Sequence, residues 1–257
     1  MNKSRKNTRV QEDFNEIEAG QIEFPVRINR YLYLKGYCSR RQADKLIDER
    51  QVKINGEHAV LGQKVQKTDT VELTTKVKKM PQNYEYYLFY KPRGVVSHNP
   101  QQGEKSVEDF FKNAVNKKLA PVGRLDKDSE GLMFITNDGR IIDKMLNPKY
   151  EHDKEYVVKV DKEISESFVN KVQKGVQIEN YKTKPAKIHV NSDRTFSLIL
   201  TEGKKHQIRR MCAALGYQVK NLKRIRIMNL RLSGLYPGQS RALNMTEKMA
   251  LLKSIGL

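Results

Sequence analysis

Several things are scarce in this sequence of 257 residues, and each shortage removes a class of function. No apolar run approaches the roughly 20 residues that a membrane-spanning helix needs. The start, Met1 to Arg9, is basic but has no apolar segment behind it, so it does not read as a secretory signal. Only two cysteines occur, Cys38 and Cys212, far apart and both in helix-like patterns. They are expected to be reduced thiols of a cytoplasmic protein rather than a disulfide pair. The five histidines are scattered and there is no CxxC, so no metal-ligand spacing exists, and neither a metal ion nor a cofactor is expected. A nucleotide-binding loop and an internal repeat are also missing.

What the chain has in excess is positive charge. The formal net charge is +19 and the isoelectric point about 9.8. Such a balance is silent on fold but favours a polyanionic partner, a nucleic acid or an acidic membrane surface. Apolar content is 38%, enough for a core if polar residues gather in tails and on one face.

In chain order, residues 1–24 read as a flexible basic tail. Residues 25–73 have the pattern of a small domain. Ile28 to Leu34 is a short helix with Gly36 placed for a C-terminal cap. Ser39 with Gln42 three residues on is a capping box that opens a helix through Arg50. Val52 to Gly56 reads as a strand entering an Asn-Gly hairpin turn, and Val60, Val65, Val71 and Leu73 supply further short strands. Arg27, Arg30, Arg40, Arg41 and Lys45 crowd the two helices, as an RNA-binding face or simply as a solvated one. Residues 74–83 are a polar linker.

From Tyr84 to residue 257 strands and helices mix without a regular βαβ alternation, which is an α+β pattern. Strands are expected at Tyr84 to Tyr90, Val95 to Ser97, Leu132 to Ile135, Tyr156 to Val160, Ile188 to Val190, Phe196 to Leu200 and Ile227 to Leu232. Helices are expected after Ser106 (with Val107, Phe110, Phe111 and Val115 inward), from Gly139 to Leu146, Ser165 to Lys174 and Lys204 to Leu215, and after a capping Thr246.

Three stretches are candidates for chemistry. Val122 to Gly139 places Asp126, Asp128 and Glu130 at alternating positions beside Arg124, directly before an apolar strand. The three carboxylates with Gly131 fit the first half of a calcium loop, but the twelfth position is Asn137 and no helix precedes it. A solvated turn and a carboxylate kept ionised for attack or proton abstraction are the other readings. Lys204, Lys205, His206, Arg209 and Arg210 crowd the first half of a helix whose apolar face is Ile208, Met211, Cys212 and Leu215. Cations there oppose the helix dipole by about 0.3–1 kcal/mol each, which a nearby anion offsets. His152 to Val158 sets Tyr156 at a strand start, as a core residue or as a ring for stacking on a base.

These motifs carry two resemblances. The segment Val26 to Gly56, with Ser39-Arg40-Arg41 and Val52-Lys53-Ile54-Asn55-Gly56, followed by Val65 to Leu73, resembles the S4 RNA-binding domain. Gly123-Arg124-Leu125-Asp126 with Ser129, Gly131, Leu132 and Thr136 to Gly139 resembles the catalytic-aspartate motif of pseudouridine synthases. Lys154-Glu155-Tyr156 is similar to that family's tyrosine motif, and Glu202-Gly203 with His206-Gln207-Ile208-Arg209 to its third motif. Lys91-Pro92 with Gly94 is similar to its first. The chain thus resembles the S4-bearing branch of the ribosomal RNA pseudouridine synthases, and Arg224 to Gly234 is most similar to the large-subunit synthases of type F.

The resemblance implies a catalytic domain over 84–257 with a mixed, mainly antiparallel sheet flanked by helices. It implies three catalytic residues: Asp126 as the essential carboxylate, Arg209 paired with it, and Tyr156 stacked on the target base and assisting proton transfer at C5, with Ile208 on the other side of the ring. Arg124 fills the gap left by the flipped nucleotide, and Lys154 and His206 contact substrate. By the same resemblance Arg27, Arg30, Arg40, Arg41, Lys45, Lys204, Lys205 and Arg210 are expected to bind RNA, mostly at phosphate. The implied partner is ribosomal RNA, 23S in particular, bound by a monomer without a protein partner. Two other readings stand beside it. One is an S4-type ribosome assembly factor without catalysis; the other is the same reaction on 16S ribosomal or transfer RNA.

Overall fold

The computed structural model describes residues 22–74, 84–112 and 119–257. Most of the expected tail, nearly all of the linker and Val115 lie outside those residues. The chain divides into two units, Met1–Asn83 and Tyr84–Leu257.

The smaller unit begins with β1 (Val26–Arg27), α1 (Ile28–Leu34) and α2 (Arg40–Asp48). Ser39 and Gln42 form a reciprocal capping box at the start of α2, which satisfies two of the amides a helix leaves open. β2 (Val52–Ile54) turns through Asn55-Gly56, both at positive φ, into β3 (Glu57–His58). That backbone is the one an Asn-Gly hairpin requires. β4 (Lys64–Val65) pairs with β1, and β5 (Val71–Leu73) with β2. Ile28, Leu32, Ala43, Ile47, Val52 and Val65 close the core. Val60 belongs to no strand and is exposed, because it sits in the loop that Gln63 ties back at its amide.

The larger unit is built on a nine-stranded sheet. β6 (Tyr86–Lys91), β7 (Ala120–Val122) and β8 (Glu130–Thr136) come first, then α3 (Arg140–Leu146), β9 (Lys154–Val160) and α4 (Glu166–Lys174). A separate small hairpin, β10 (Gln177–Ile178) with β11 (Tyr181–Lys182), precedes β12 (Lys187–Ser192) and β13 (Thr195–Leu200). α5 (Gln207–Ala214), β14 (Val219–Ile227), β15 (Leu230–Arg231), β16 (Ser240–Ala242) and α6 (Met245–Ser254) complete it. The main order is β12-β13-β9-β14-β8-β6-β16, with β15 on β14 and β7 on β8. Among the described strands of this sheet only the β14–β8 pair is parallel, so the architecture is α+β with a mixed, mainly antiparallel sheet.

Both faces of the sheet are covered, which is why β8 is apolar along almost its whole length. Met133 and Ile135 face a core with Phe89, Val158, Leu198, Met211 and Phe168. Leu132 and Phe134 face the opposite core with Leu88, Ile141, Met145 and Leu251. This is the two-residue period of a strand resolved into two layers.

Several expected boundaries move. Val95 to Ser97 makes a single bridge, Val96 with Ser106, and no strand. The segment after Ser106 is a short 3-10 helix, Val107–Phe111. α5 starts at Gln207, so Lys204, Lys205 and His206 form a turn ahead of it and sit outside the helix. The last helix is capped by Asn244, whose side chain accepts from the Glu247 amide, and not by Thr246. The strand expected from Ile227 instead ends there: β14 runs through the cationic stretch Val219–Ile227, and a turn leads to β15.

One local feature organises the middle of the sheet. Along one edge of β8, Glu130 and Gly131 pair with β14, while Phe134 to Thr136 pair with β7. The two neighbours fork apart between these positions. Gly131, at φ +112°, permits the close approach of β14, since a Cβ there would lie 2.3 Å from the Arg224 carbonyl oxygen.

Candidate active site

Asp126 lies in the crossing from β7 to β8, and its backbone is gripped from behind. The Ser97 hydroxyl donates to the Leu125 carbonyl at 2.7 Å and accepts from the Leu125 amide at 2.9 Å. Gly94 N–H donates to the Lys127 carbonyl at 2.8 Å. The Lys91 ammonium is completely buried and donates to the carbonyls of Pro92, Val95 and Lys127 at 2.8, 2.7 and 3.3 Å. Burial pushes its pKa down to about 8, against the opposing pull of the Asp126 and Asp128 carboxylates. The Ser129 amide closes the turn on the Asp126 carbonyl at 3.0 Å. The carboxylate is thereby presented on a loop whose main chain is held by the strand-turn Lys91 to Gly94.

It faces a cavity of about 780 Å³ at the mouth of the fork. Asp126 and Arg124 line one wall, Lys154 and Tyr156 of β9 another, and the turn Lys204-Lys205-His206 with Ile208 a third. Tyr156 and Ile208 are buried, and Arg124 is exposed. Burial lowers the Lys154 pKa, assisted by the charge of Arg224. Its ammonium donates to the His152 carbonyl at 3.2 Å. His206 holds a left-handed backbone, φ 51°, and its Nε2 lies 3.5 Å from Asp126 Oδ1.

The turn that carries His206 is braced underneath. Gln207 Nε2 donates to Glu202 at 2.5 Å, and its Oε1 accepts from the Lys204 amide at 2.9 Å. Glu202 is buried and also accepts from the Lys184 amide and the Tyr181 hydroxyl. Burial and this carboxylate push the Tyr181 hydroxyl up to about 12. Lys204 extends over the Tyr181 ring, 5.2 Å from its centroid.

Arg209 departs from expectation. Its guanidinium donates to the Asp128 carbonyl and the Ser129 hydroxyl, both at 3.1 Å, and makes no ion pair with Asp126. The reason is geometric: Arg209 sits in the first turn of α5 on the side of the β8 loop, so it reaches the loop's main chain from outside the cavity. Arg210 is likewise engaged elsewhere, 3.0 Å from Glu179. Arg27, Arg40, Arg41 and Lys45 are exposed and Arg30 half-buried, all on the smaller unit. Glu130 is structural: it accepts from Tyr90 at 2.9 Å and from Asn221 at 2.8 Å.

Two residues of this site, Lys91 and Arg224, stand in motifs of the sequence but were given no role there. Lys91 stands in the first motif, whose Lys-Pro-x-Gly pattern was a usable signal. Arg224 opens the segment to Gly234 that resembles the family, but a single arginine in a run of cations gives no sign of burial. Among the described residues, no cluster of three His, Cys, Asp or Glu side chains is placed to hold a metal ion. Among them, too, no helix is long and apolar enough to cross a membrane.

Both units resemble known proteins. Residues 85–214 match the RNA pseudouridylate synthase family, and residues 26–71 match the S4 domain. The dual-specificity RNA pseudouridine synthase RluF of Escherichia coli is 39% identical over 232 residues, covering 90% of this chain and 79% of its own. Ribosomal large subunit pseudouridine synthase B of Bacillus subtilis is 40% identical over 229 residues, covering 86% and 93%. A crystal structure of a pseudouridylate synthase superposes with a TM-score of 0.66 at 30% identity, covering 88% of this chain and 99% of that one. The chain belongs to the RNA pseudouridylate synthase family and carries an S4 domain ahead of the catalytic unit.

Proposed function

We propose that this enzyme isomerises uridine in ribosomal RNA, of the large subunit in particular, with Asp126 as the reactive carboxylate. The observation that carries the reading is the convergence of Asp126, Tyr156, Ile208 and His206 on one cavity from three separate segments. A binding module has no use for a carboxylate on a loop whose main chain a buried lysine holds, sharing a cavity with a buried tyrosine.

The reaction breaks the N1–C1′ bond of a flipped uridine, turns the uracil and rejoins it through C5. The proton lost from C5 is balanced by one gained at N1, so no redox partner or energy input is required. Asp126 adds to C1′ or removes the 2′-proton; both routes need it ionised, and His206 at 3.5 Å supplies positive charge when protonated. Tyr156 and Ile208 enclose the base, while Arg124 takes the place it left in the stack. Flipping costs a few kcal/mol, which contacts to RNA offset. Exposed Lys204 and Lys205 at the cavity rim, Arg210 beside them, and Arg27, Arg30, Arg40, Arg41 and Lys45 on the S4 domain supply these at phosphate. Arg209 acts on the loop: through the Asp128 carbonyl and Ser129 it fixes the turn that carries Asp126. The protein works as a monomer.

The large-subunit preference is supported by the Bacillus subtilis relative's name, and the Escherichia coli relative's dual specificity adds a second RNA as an alternative. Incubation of the purified enzyme with transcribed 23S, 16S and transfer RNA, followed by pseudouridine mapping, decides among them. Pseudouridine in 23S RNA is the expected outcome. Formation only in 16S or transfer RNA would overturn the large-subunit assignment, and none in any of the three would overturn the reading as a whole.

A further inference from the structure

Among the described residues, two buried side-chain polar atoms lack a hydrogen-bond partner, Asn29 Oδ1 in the smaller unit and Arg224 Nη2. The second is the more demanding, because a guanidinium stays charged and its donors are costly to bury unused. Arg224 is only 4% exposed, yet it lines the cavity that holds Asp126.

Its other nitrogens are committed. Nε donates to the Leu132 carbonyl at 2.7 Å, and Nη1 to the Arg124 carbonyl at 3.4 Å. Leu132 is the position of β8 where pairing with β14 has ended and pairing with β7 has not begun. The side chain therefore bridges the fork and is locked in place at both ends. It makes no ion pair, and Nη2, closed off from solvent, is the donor left unused beside the cavity. Arg224 is the cross-strand partner of Tyr156, so the two side chains leave the same face of the sheet next to each other. Lys154, two residues before Tyr156 on that face, brings a second partly desolvated cation. The exposed cations stand at the rim and suit phosphate; these two flank the ring on which the base rests.

We propose that Arg224 contacts substrate, with Nη2 donating to a carbonyl oxygen of the flipped uracil and holding the base's negative charge while it is detached from C1′. This rests on the reading of the cavity as a pseudouridine synthase site. When the N1–C1′ bond breaks, its electron pair stays with the uracil, and the charge spreads over N1, O2 and O4. A fixed guanidinium stabilises that anion without transferring a proton, as donors aimed at developing charge do elsewhere. A second property follows from the symmetry of the base. Turning uracil about its N3–C6 axis exchanges N1 with C5 and O2 with O4. A donor that meets one carbonyl before the turn meets the other after it, so one immobile residue serves both orientations.

The test uses the full chain with an RNA substrate carrying uridine, 2-thiouridine or 4-thiouridine at the target position. Sulfur accepts hydrogen bonds poorly, so the wild type should slow about tenfold or more on at least one thio substrate. In Arg224→Met the rate on normal uridine should fall about 100-fold, and the thio penalty should shrink towards unity. Arg224→Lys keeps charge but loses the bridge, and should recover part of the rate. The thio-to-oxygen ratio does not depend on what fraction of a variant is folded, so it separates substrate contact from a bracing role. An unchanged thio penalty in both variants would overturn the inference. The wild-type rate on normal uridine reports the underlying function, so the two failures are told apart.

Discussion

The two units spend their positive charge differently. In the smaller one Arg27, Arg40, Arg41 and Lys45 stand in solvent on and beside two short helices, and among its described residues no cation is buried. In the larger one Lys91 and Arg224 are buried among backbone carbonyls, and Lys154 half so. Solvated cations are cheap and sequence-blind, and they supply affinity that salt erodes. Buried cations cost desolvation and keep a fixed aim, which is what chemistry on a small neutral base requires. One polyanion-binding chain thus carries two kinds of positive charge, and its formal +19 says nothing of how they are divided.

That division can be broken at its centre first. Asp126→Asn should lower turnover by roughly three orders of magnitude or more and leave RNA affinity within a factor of about two. Single-turnover pseudouridine formation and filter binding on the same preparation check both. Loss of binding in parallel with turnover would mean that the cavity's charges serve affinity after all.

Next in size is Gly131→Ala. A Cβ at that position meets the Arg224 carbonyl at 2.3 Å with φ at +112°, so the variant should lose about 2–4 kcal/mol. The loss should be confined to the larger unit, and each unit has one buried thiol to report it. Burial pushes Cys38 up to about 11 and Cys212 to about 12, so neither should react in the native state at neutral pH. Thiol labelling under mild denaturant should show Cys212 exposed earlier in the variant and Cys38 unchanged.

A smaller effect comes from pH. Lys91 titrates at about 8 in the folded protein and near 10.5 when unfolded. Below pH 8 both states hold the proton and this residue adds no pH dependence. Between 8 and about 10.5 the unfolded chain holds a proton that the folded one has released, so stability rises with pH. Chemical denaturation from pH 7.5 to 10 (about two units above the folded pKa) should show the wild type gaining on the order of 1–3 kcal/mol relative to Lys91→Met. A flat difference would indicate that the three carbonyls keep the ammonium charged.

The smallest change is expected in the smaller unit. Arg40→Ala with Arg41→Ala should weaken RNA binding several-fold and reduce the salt slope by about 0.7–0.9 per lost contact, with the rate at saturating RNA unchanged. A changed saturated rate would break the separation of roles.

Much of this was legible in the sequence, and the exceptions have physical causes. The capping box at Ser39, the Asn-Gly hairpin and the apolar run of β8 are local signals, and they fold where they were read. β14 was not legible. Its buried residues are Leu222, Arg224 and Ile227, and bulges at Val219/Asn221 and Arg224/Arg226 shift the register. A buried arginine and a broken period hide a strand that its neighbours make obligatory. The Asp126 motif marked a candidate loop, but not what Arg209 does there, since its partners are a main-chain carbonyl and a serine hydroxyl. Main-chain acceptors leave no trace in residue types.

The fork in the sheet also has a mechanical meaning. β6 and β8 share a ladder along their full length, as do β13 and β9, but β8 and β14 are joined only at Lys223↔Glu130 and Arg224↔Gly131. The catalytic unit is therefore two stiff plates on a short seam, with Asp126 carried by one plate and Tyr156 by the other. In amide exchange the plates should open only with global unfolding, and the seam before them. The spacing of carboxylate and aromatic ring therefore rests on two ladder pairs and on the side chains that cross the seam, Arg224 to the Leu132 carbonyl and Asn221 to Glu130.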